Sequence, residues 1–88
     1  MMYQVEYSKR LEKFLDRIDN RLFARFERAR LKLQENPYRR DLDIKKMRGH
    51  ANDYRLRIGK YRFLYTIIEN RLLIYMYKAD TRGDVYKS

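Results

Sequence analysis

Two arginines stand two residues apart in the middle of the chain, where they could bind one phosphate together. Arg55 and Arg57 alternate with apolar or aromatic residues, and this spacing predicts a strand that carries both guanidinium groups on one face. Arg62 follows a tight turn predicted at Gly59-Lys60 and could reach that face from the next strand. Guanidinium groups bind phosphate oxygens in a bidentate geometry that lysine does not reproduce. The alternatives are a merely solvated strand face for Arg55 and Arg57 and an ion-pair role for Arg62.

The charge of the chain favours an anionic partner. The sequence has 22 Lys and Arg residues against 12 Asp and Glu residues, a formal net charge of +10, and residues 37–62 hold nine of the basic and three of the acidic groups. Such a domain binds nucleic acid, an anionic membrane or an acidic protein, and the sequence contains no basic amphipathic helix suited to a membrane. We predict that four further cations follow the phosphates of a nucleic acid, although a plain charged surface is the alternative: Lys45, Lys46, Arg48 and Lys60.

The N-terminal part of the sequence predicts a strand followed by two helices. An alternating strand pattern precedes Ser8, whose side chain is suited to cap the first helix. Asp19-Asn20 separates the two helices, and either of its side chains can cap the second. Asn36-Pro37 ends the second helix, because proline has no backbone N–H to continue the hydrogen-bond ladder. The apolar residues recur at helical spacing, and the two stripes are Leu11, Phe14, Leu15, Ile18 and Leu22, Phe26, Ala29, Leu33.

The C-terminal part predicts a meander of three strands. Residues 38–53 have no regular period, and from there the pattern alternates over residues 54–58, 61–69 and 72–79. The strand at 61–69 is apolar on both faces, which predicts a central position. We therefore expect one α+β domain over residues 1–88: an N-terminal strand, an antiparallel two-helix hairpin and a three-stranded antiparallel meander. The helices should cover one sheet face and leave the face of Arg55 and Arg57 open.

Composition narrows the cellular setting. The sequence contains no cysteine, so neither a disulfide nor a cysteine-based zinc site is expected, which suits a reducing cytosol. The N-terminus enters a strand pattern rather than a signal peptide. No apolar run approaches the roughly 20 residues of a membrane-spanning helix. We expect a soluble, cytoplasmic protein that uses no metal or cofactor.

Several phrases of the sequence resemble the RelE/ParE toxin superfamily. They are Lys46-Met47-Arg48-Gly49, the stretch YRLRIGKYRFLY from Tyr54 to Tyr65, and a tail from Arg82 to Tyr86 that is similar to the family's Arg-x-x-Val-Tyr ending. The resemblance spans nearly the whole chain and implies the RelE fold. RelE-type members cut mRNA on the ribosome through attack of the RNA 2′-OH on the adjacent phosphate, whereas ParE-type members inhibit DNA gyrase. A catalytically inactive member that only binds its antitoxin is a third alternative.

The resemblance also assigns roles. It implies that Arg55, Arg57, Arg62 and Arg82 stabilise the phosphate or the leaving group, and that a RelB-like antitoxin, the ribosome and mRNA are the partners. Lysines often stand in RelE-type proteins where Arg55 and Arg57 stand here, and arginine is a poor general base because it keeps its proton. Tyr86 is therefore the candidate base, with base stacking or simple packing as its alternatives, while His50 does not match the tail position and is predicted to be an exposed loop residue.

Overall fold

The computed structural model describes residues 2–49 and 52–81, and these form a five-stranded sheet with two α-helices. The strands are β1 (Gln4–Tyr7), β2 (Ile44–Lys46), β3 (Asp53–Ile58), β4 (Tyr61–Ile68) and β5 (Leu73–Thr81), and the helices are α1 (Lys9–Arg17) and α2 (Asn20–Glu35). A short 3-10 helix (Glu69–Arg71) joins β4 to β5. The predicted α+β arrangement is confirmed.

The sheet order is β1-β5-β4-β3-β2, which places β4 at the centre as predicted from its two apolar faces. β1 runs parallel to β5, and the other neighbours are antiparallel. The predicted three-stranded antiparallel meander is confirmed as β3, β4 and β5. The prediction that residues 38–53 are irregular is wrong at Ile44–Lys46, because β2 adds a further antiparallel strand beside β3. A strand of three residues is too short to show an alternating pattern, and it forms because β3 offers it a free edge.

Local signals position the helices. The Ser8 side chain accepts a hydrogen bond from the Leu11 N–H, and the Asp19 side chain accepts one from the Leu22 N–H, so both predicted caps are confirmed. α2 ends at Glu35, before the buried Pro37. The predicted turn between β3 and β4 is also present, and its Gly59 has a φ of +59° that favours glycine.

The two helices cover one face of the sheet. The stripe of α2 is buried against the sheet, with the rings of Phe26 and Phe63 in contact at 4.9 Å between centroids. Leu11 of α1 is fully buried, and Phe14, Leu15 and Ile18 pack around it at partial exposure. The opposite side of the sheet, called the outer face below, is formed by residues that alternate with the core positions. Neither helix in the described ranges is long and apolar enough to cross a membrane.

Ser8 joins α1 to the sheet, and its removal should measurably destabilise the fold. Its hydroxyl accepts from the Leu11 N–H at 3.1 Å and donates to the Tyr77 carbonyl at 2.8 Å. We expect Ser8→Ala to lower the free energy of unfolding by about 1–2 kcal/mol, the usual loss for a helix cap. Urea denaturation measures the change, and Ser8→Thr is the control because it keeps the hydroxyl. Equal stability of wild type and Ser8→Ala would contradict the dual role of this hydroxyl.

Candidate nucleic-acid interface

One row of the outer face carries three cations from three strands. Lys45 of β2 lies opposite Arg55 of β3, Arg55 lies opposite Leu64 of β4, and Leu64 lies opposite Lys78 of β5. Residues paired in this way point to the same side of a sheet, and neighbouring strands are about 4.8 Å apart. This lysine–arginine row is therefore a strip of positive charge across four strands.

The adjacent row brings two guanidinium groups directly opposite each other. Arg57 of β3 is the register partner of Arg62 of β4, and Arg62 is the partner of Asp80 of β5. Like charges directly opposite each other destabilise a sheet. Asp43 offsets part of this repulsion, because the Arg57 Nε donates to its Oδ2 at 2.8 Å. We call Arg57, Arg62 and Asp80 the paired-arginine row.

A β-bulge decides which side chains of β5 join these rows. The register shifts between Leu64 and Tyr65 of β4, so that Tyr77 of β5 has no partner of its own in the ladder. Strict alternation would place Lys78 and Asp80 on the same side as the buried Met76. The extra residue reverses the alternation, because an inserted residue shifts every later side chain to the other face. Lys78 and Asp80 therefore lie on the outer face.

The ion-pair alternative for Arg62 is confirmed. Its Nε donates to the Asp80 Oδ1 at 3.1 Å, and both side chains are largely buried, at 18% and 25% exposure. Arg57 uses its Nε in the same way on Asp43. Within the described ranges, the terminal amino groups of Arg57 and Arg62 form no hydrogen bond with the protein. Each guanidinium is thus held in place by its inner nitrogen, and its terminal nitrogens have no acceptor among the described residues.

Three further predicted cations within the described ranges do not join this surface. Lys46 is the register partner of Tyr54 and lies on the helix side of β2. Lys60, in the turn between β3 and β4, lies 5.6 Å from the centre of the Tyr61 ring. Arg48 is exposed in the turn that follows β2. The other predicted positions lie outside the described residues, and they are His50, Arg82 and Tyr86.

Tyr65 and Tyr77 are poor bases near neutral pH. Burial raises the pKa of Tyr65 far above its ordinary value of 10.0. The pKa of Tyr77 is raised by burial and by the hydrogen bond that its hydroxyl donates to Asp53 at 3.1 Å. Both phenols therefore stay protonated, and general-base catalysis by Tyr86 stays a prediction. Among the described residues, no three His, Asp or Glu side chains are grouped as a metal would require.

A second basic feature, between α2 and β3, was only partly visible in the sequence. Arg25, Arg28 and Lys32 of α2 face Arg57 across an open cleft of about 230 Å³, whose floor is apolar. Helical spacing predicts that the three α2 cations share a face. The cleft itself depends on how the helix sits on the sheet, which no local signal shows. Arg57 contributes to both basic surfaces.

Comparison with known proteins places this geometry among toxins. No protein-family model matches the sequence. A protein of Methanocaldococcus jannaschii, whose name assigns it as the toxin RelE1, is 32% identical over 89 residues that cover 100% of this chain and 99% of that protein. The crystal structure of the archaeal RelE–RelB complex from Pyrococcus horikoshii is similar at a TM-score of 0.83 and 30% identity, over 94% of this chain and 98% of that one. The isolated RelE toxin of E. coli has a TM-score of 0.79 at 18% identity, over 96% and 90% of the two chains, and shows the fold alone.

Proposed function

This chain belongs to the RelE family of toxins, and from that premise we propose that it is an endoribonuclease that cleaves mRNA on the ribosome. The observation that carries the proposal is the paired-arginine row, where Arg57 and Arg62 are opposed in spite of their repulsion. Asp43 and Asp80 each bind one of the two guanidinium groups through its Nε, and an anionic ligand between the terminal nitrogens would reduce the remaining repulsion between the two arginines. A backbone phosphate between the two guanidinium groups is such a ligand.

The proposed reaction uses the 2′-hydroxyl of the RNA as the nucleophile. Its oxygen forms a bond to the adjacent phosphorus, the bond from phosphorus to the 5′-oxygen breaks, and the products are a 2′,3′-cyclic phosphate and a 5′-hydroxyl. The hydroxyl proton passes to a base and the leaving 5′-oxygen receives a proton. The terminal nitrogens of Arg57 and Arg62 would stabilise the negative charge that grows on the phosphate oxygens. Arg82 and Tyr86 complete the proposed site through their match to the family tail.

The ribosome is proposed to supply the positioning that this site lacks. Arginines stabilise negative charge but are poor bases. The side chains of the two rows would therefore stabilise the charged phosphate but would not accept the proton of the 2′-hydroxyl. Holding the RNA in a reactive pose lowers a barrier by up to several kcal/mol without any further acid or base. Ribosomal RNA is a large anionic surface, and the formal charge of +10 suits it. Lys45, Lys46, Arg48 and Lys60 are the proposed contacts to RNA.

The proposed regulator is an antitoxin of the RelB kind. The P. horikoshii RelE and a Methanococcus jannaschii RelE that is 25% identical to this chain are solved in complexes with RelB. This chain would form the same type of heteromeric complex in the cytoplasm. An antitoxin that is acidic where it covers the basic surfaces would block the approach of RNA. We also propose that residues 1–88 act as one domain, since every described element belongs to a single sheet and its two helices.

A primer-extension assay tests the proposal. Protein, mRNA and ribosomes are incubated together, and we expect cuts within codons that disappear when ribosomes are omitted. Each new 3′-fragment should accept phosphate from polynucleotide kinase directly, because it begins with a 5′-hydroxyl. A single 2′-deoxy substitution before the cut phosphate should abolish that cut alone, since it removes the nucleophile.

A parallel incubation of the protein with DNA gyrase and plasmid DNA separates the rival activities. Intact mRNA together with a stalled gyrase–DNA complex would show that the protein is a ParE-type gyrase inhibitor and not a nuclease. If the protein is correctly folded and both mRNA and gyrase are unaffected, it is a catalytically inactive member whose remaining role is to bind its antitoxin. Cutting that persists after the 2′-deoxy substitution would contradict the proposed chemistry while leaving a nuclease in place.

A further inference from the structure

Two tyrosines of β5 lie side by side on the outer face. The rings of Tyr75 and Tyr77 are nearly parallel, with an angle of 21° between their planes and 6.4 Å between their centroids. The Tyr77 hydroxyl also donates a hydrogen bond to the Asp53 Oδ2 at 3.1 Å. Neither the proposed chemistry nor the burial of the core uses these two rings.

The hydrogen bond to Asp53 fixes the direction in which the Tyr77 side chain extends. Asp53 belongs to β3 and Tyr77 to β5, and β4 runs between them, so the two backbones are about 9–10 Å apart. A phenol reaches across that distance only when its ring extends along the sheet over β4. The plane of the Tyr75 ring is nearly parallel to that of Tyr77. Both side chains are partly exposed, so aromatic surface of this pair is open to solvent.

The two tyrosine rings adjoin the lysine–arginine row. Asp53, Thr66 and Tyr75 are register partners across β3, β4 and β5, and the next outward-facing row along the strands is that of Arg55. Successive rows on one face are about 7 Å apart. Cations thus occupy one half of the outer face, and tyrosine rings occupy the neighbouring half.

We propose that Tyr75 and Tyr77 form a stacking platform for bases of a single-stranded RNA whose phosphates follow the lysine–arginine row. This inference rests on the proposed function, because it assumes that RNA is the substrate. Aromatic side chains on an open sheet bind unpaired bases through their flat faces, with little dependence on sequence. The exposed carboxylate of Glu6, the register partner of Tyr75, agrees with this placement, because it disfavours a phosphate beside that ring and does not disfavour an uncharged base.

Binding to a non-cleavable RNA tests the platform without any need for catalysis. The probe is a short, fluorescently labelled single-stranded RNA with 2′-O-methyl groups, which cannot attack the phosphate. It is compared with an abasic strand of the same length and charge. We expect wild-type protein to bind the base-containing strand more tightly by about 5- to 150-fold, the range for stacking of one base. Fluorescence anisotropy at fixed salt measures both affinities.

Substitutions then test whether the two rings cause the preference for the base-containing strand. Tyr75→Leu and Tyr77→Leu should each reduce the preference for bases several-fold while the affinity for the abasic strand stays the same. Tyr77→Phe keeps the ring but loses the bond to Asp53, so its preference should be intermediate, and it serves as the folded variant if Tyr77→Leu is unstable. Tyr38→Leu is the control, because Tyr38 is exposed on the helix side of the sheet, next to Tyr54.

Two results would overturn the platform. One is equal binding of the base-containing and abasic strands by wild-type protein, and the other is an unchanged preference in both leucine variants. Loss of binding to an acidic protein partner in these variants, with RNA binding unaltered, would likewise assign the rings to a different role. Failure of the nuclease proposal would be distinct, because uncut mRNA on ribosomes leaves the binding comparison intact.

Discussion

Arg62→Ala is expected to lower ribosome-dependent cutting of mRNA by about 10- to 150-fold. The substitution removes the terminal nitrogens that would meet the phosphate, and a hydrogen bond between charged groups is worth about 1.5–3 kcal/mol. Single-turnover cleavage rates with saturating ribosomes measure the effect. Arg71→Ala is the matched control, because Arg71 is exposed on the short 3-10 helix away from both basic rows. A rate within twofold of wild type would remove Arg62 from the site.

A second substitution, at Asp80, separates two possible causes of the lower cutting rate. In Arg62→Ala, the Asp80 carboxylate loses its partner and would repel the phosphate. Part of the loss in rate would then come from that repulsion and not from the missing guanidinium. The double variant Arg62→Ala/Asp80→Ala should therefore cut faster than Arg62→Ala but more slowly than wild type. Equal rates for the single and double variants would show that the carboxylate does not act on the substrate.

The helices could be predicted from the sequence because their signals are local. Ser8 and Asp19 cap helices that begin immediately after them, and the apolar stripe of α2 is complete within 16 residues. The alternation of Arg55 and Arg57 with apolar residues is equally local. The resemblance to RelE is confirmed by the comparisons. It too could be recognised from continuous stretches of the sequence.

The features that the sequence did not reveal depend on pairing between distant residues. β2 is a strand only because β3 lies beside it. The bulge at Tyr77 reverses the alternation of β5, so strict alternation places Lys78 and Asp80 on the wrong face. The ion pair between Arg62 and Asp80 joins residues that are 18 positions apart. No local sequence pattern indicates the β2 strand, the bulge or the ion pair. These three features nevertheless determine which charges lie near the proposed phosphate.

Phe63→Ala is expected to cause the largest loss of stability, about 3–5 kcal/mol, as for a large buried aromatic side chain. Phe63 is fully buried between the rings of Phe14 and Phe26. It directly follows Arg62 on β4, so its anchoring in the core is what turns Arg62 toward the outer face. A chain of 88 residues has a total stability of only about 4–13 kcal/mol, so the variant should keep only part of it and unfold at a lower temperature than wild type.

Urea denaturation measures this loss as a lower midpoint with an unchanged slope. The control is Leu64→Ala, the next residue on β4, whose side chain is half-buried on the outer face and should cost clearly less. A loss below about 1.5 kcal/mol for Phe63→Ala would mean that the core relaxes around the cavity. With the expected loss, the folded fraction that remains at low temperature should still cut mRNA, because every residue of the two basic rows is retained. Core packing would then affect cutting through the amount of folded protein, whereas Arg62 acts on the substrate itself.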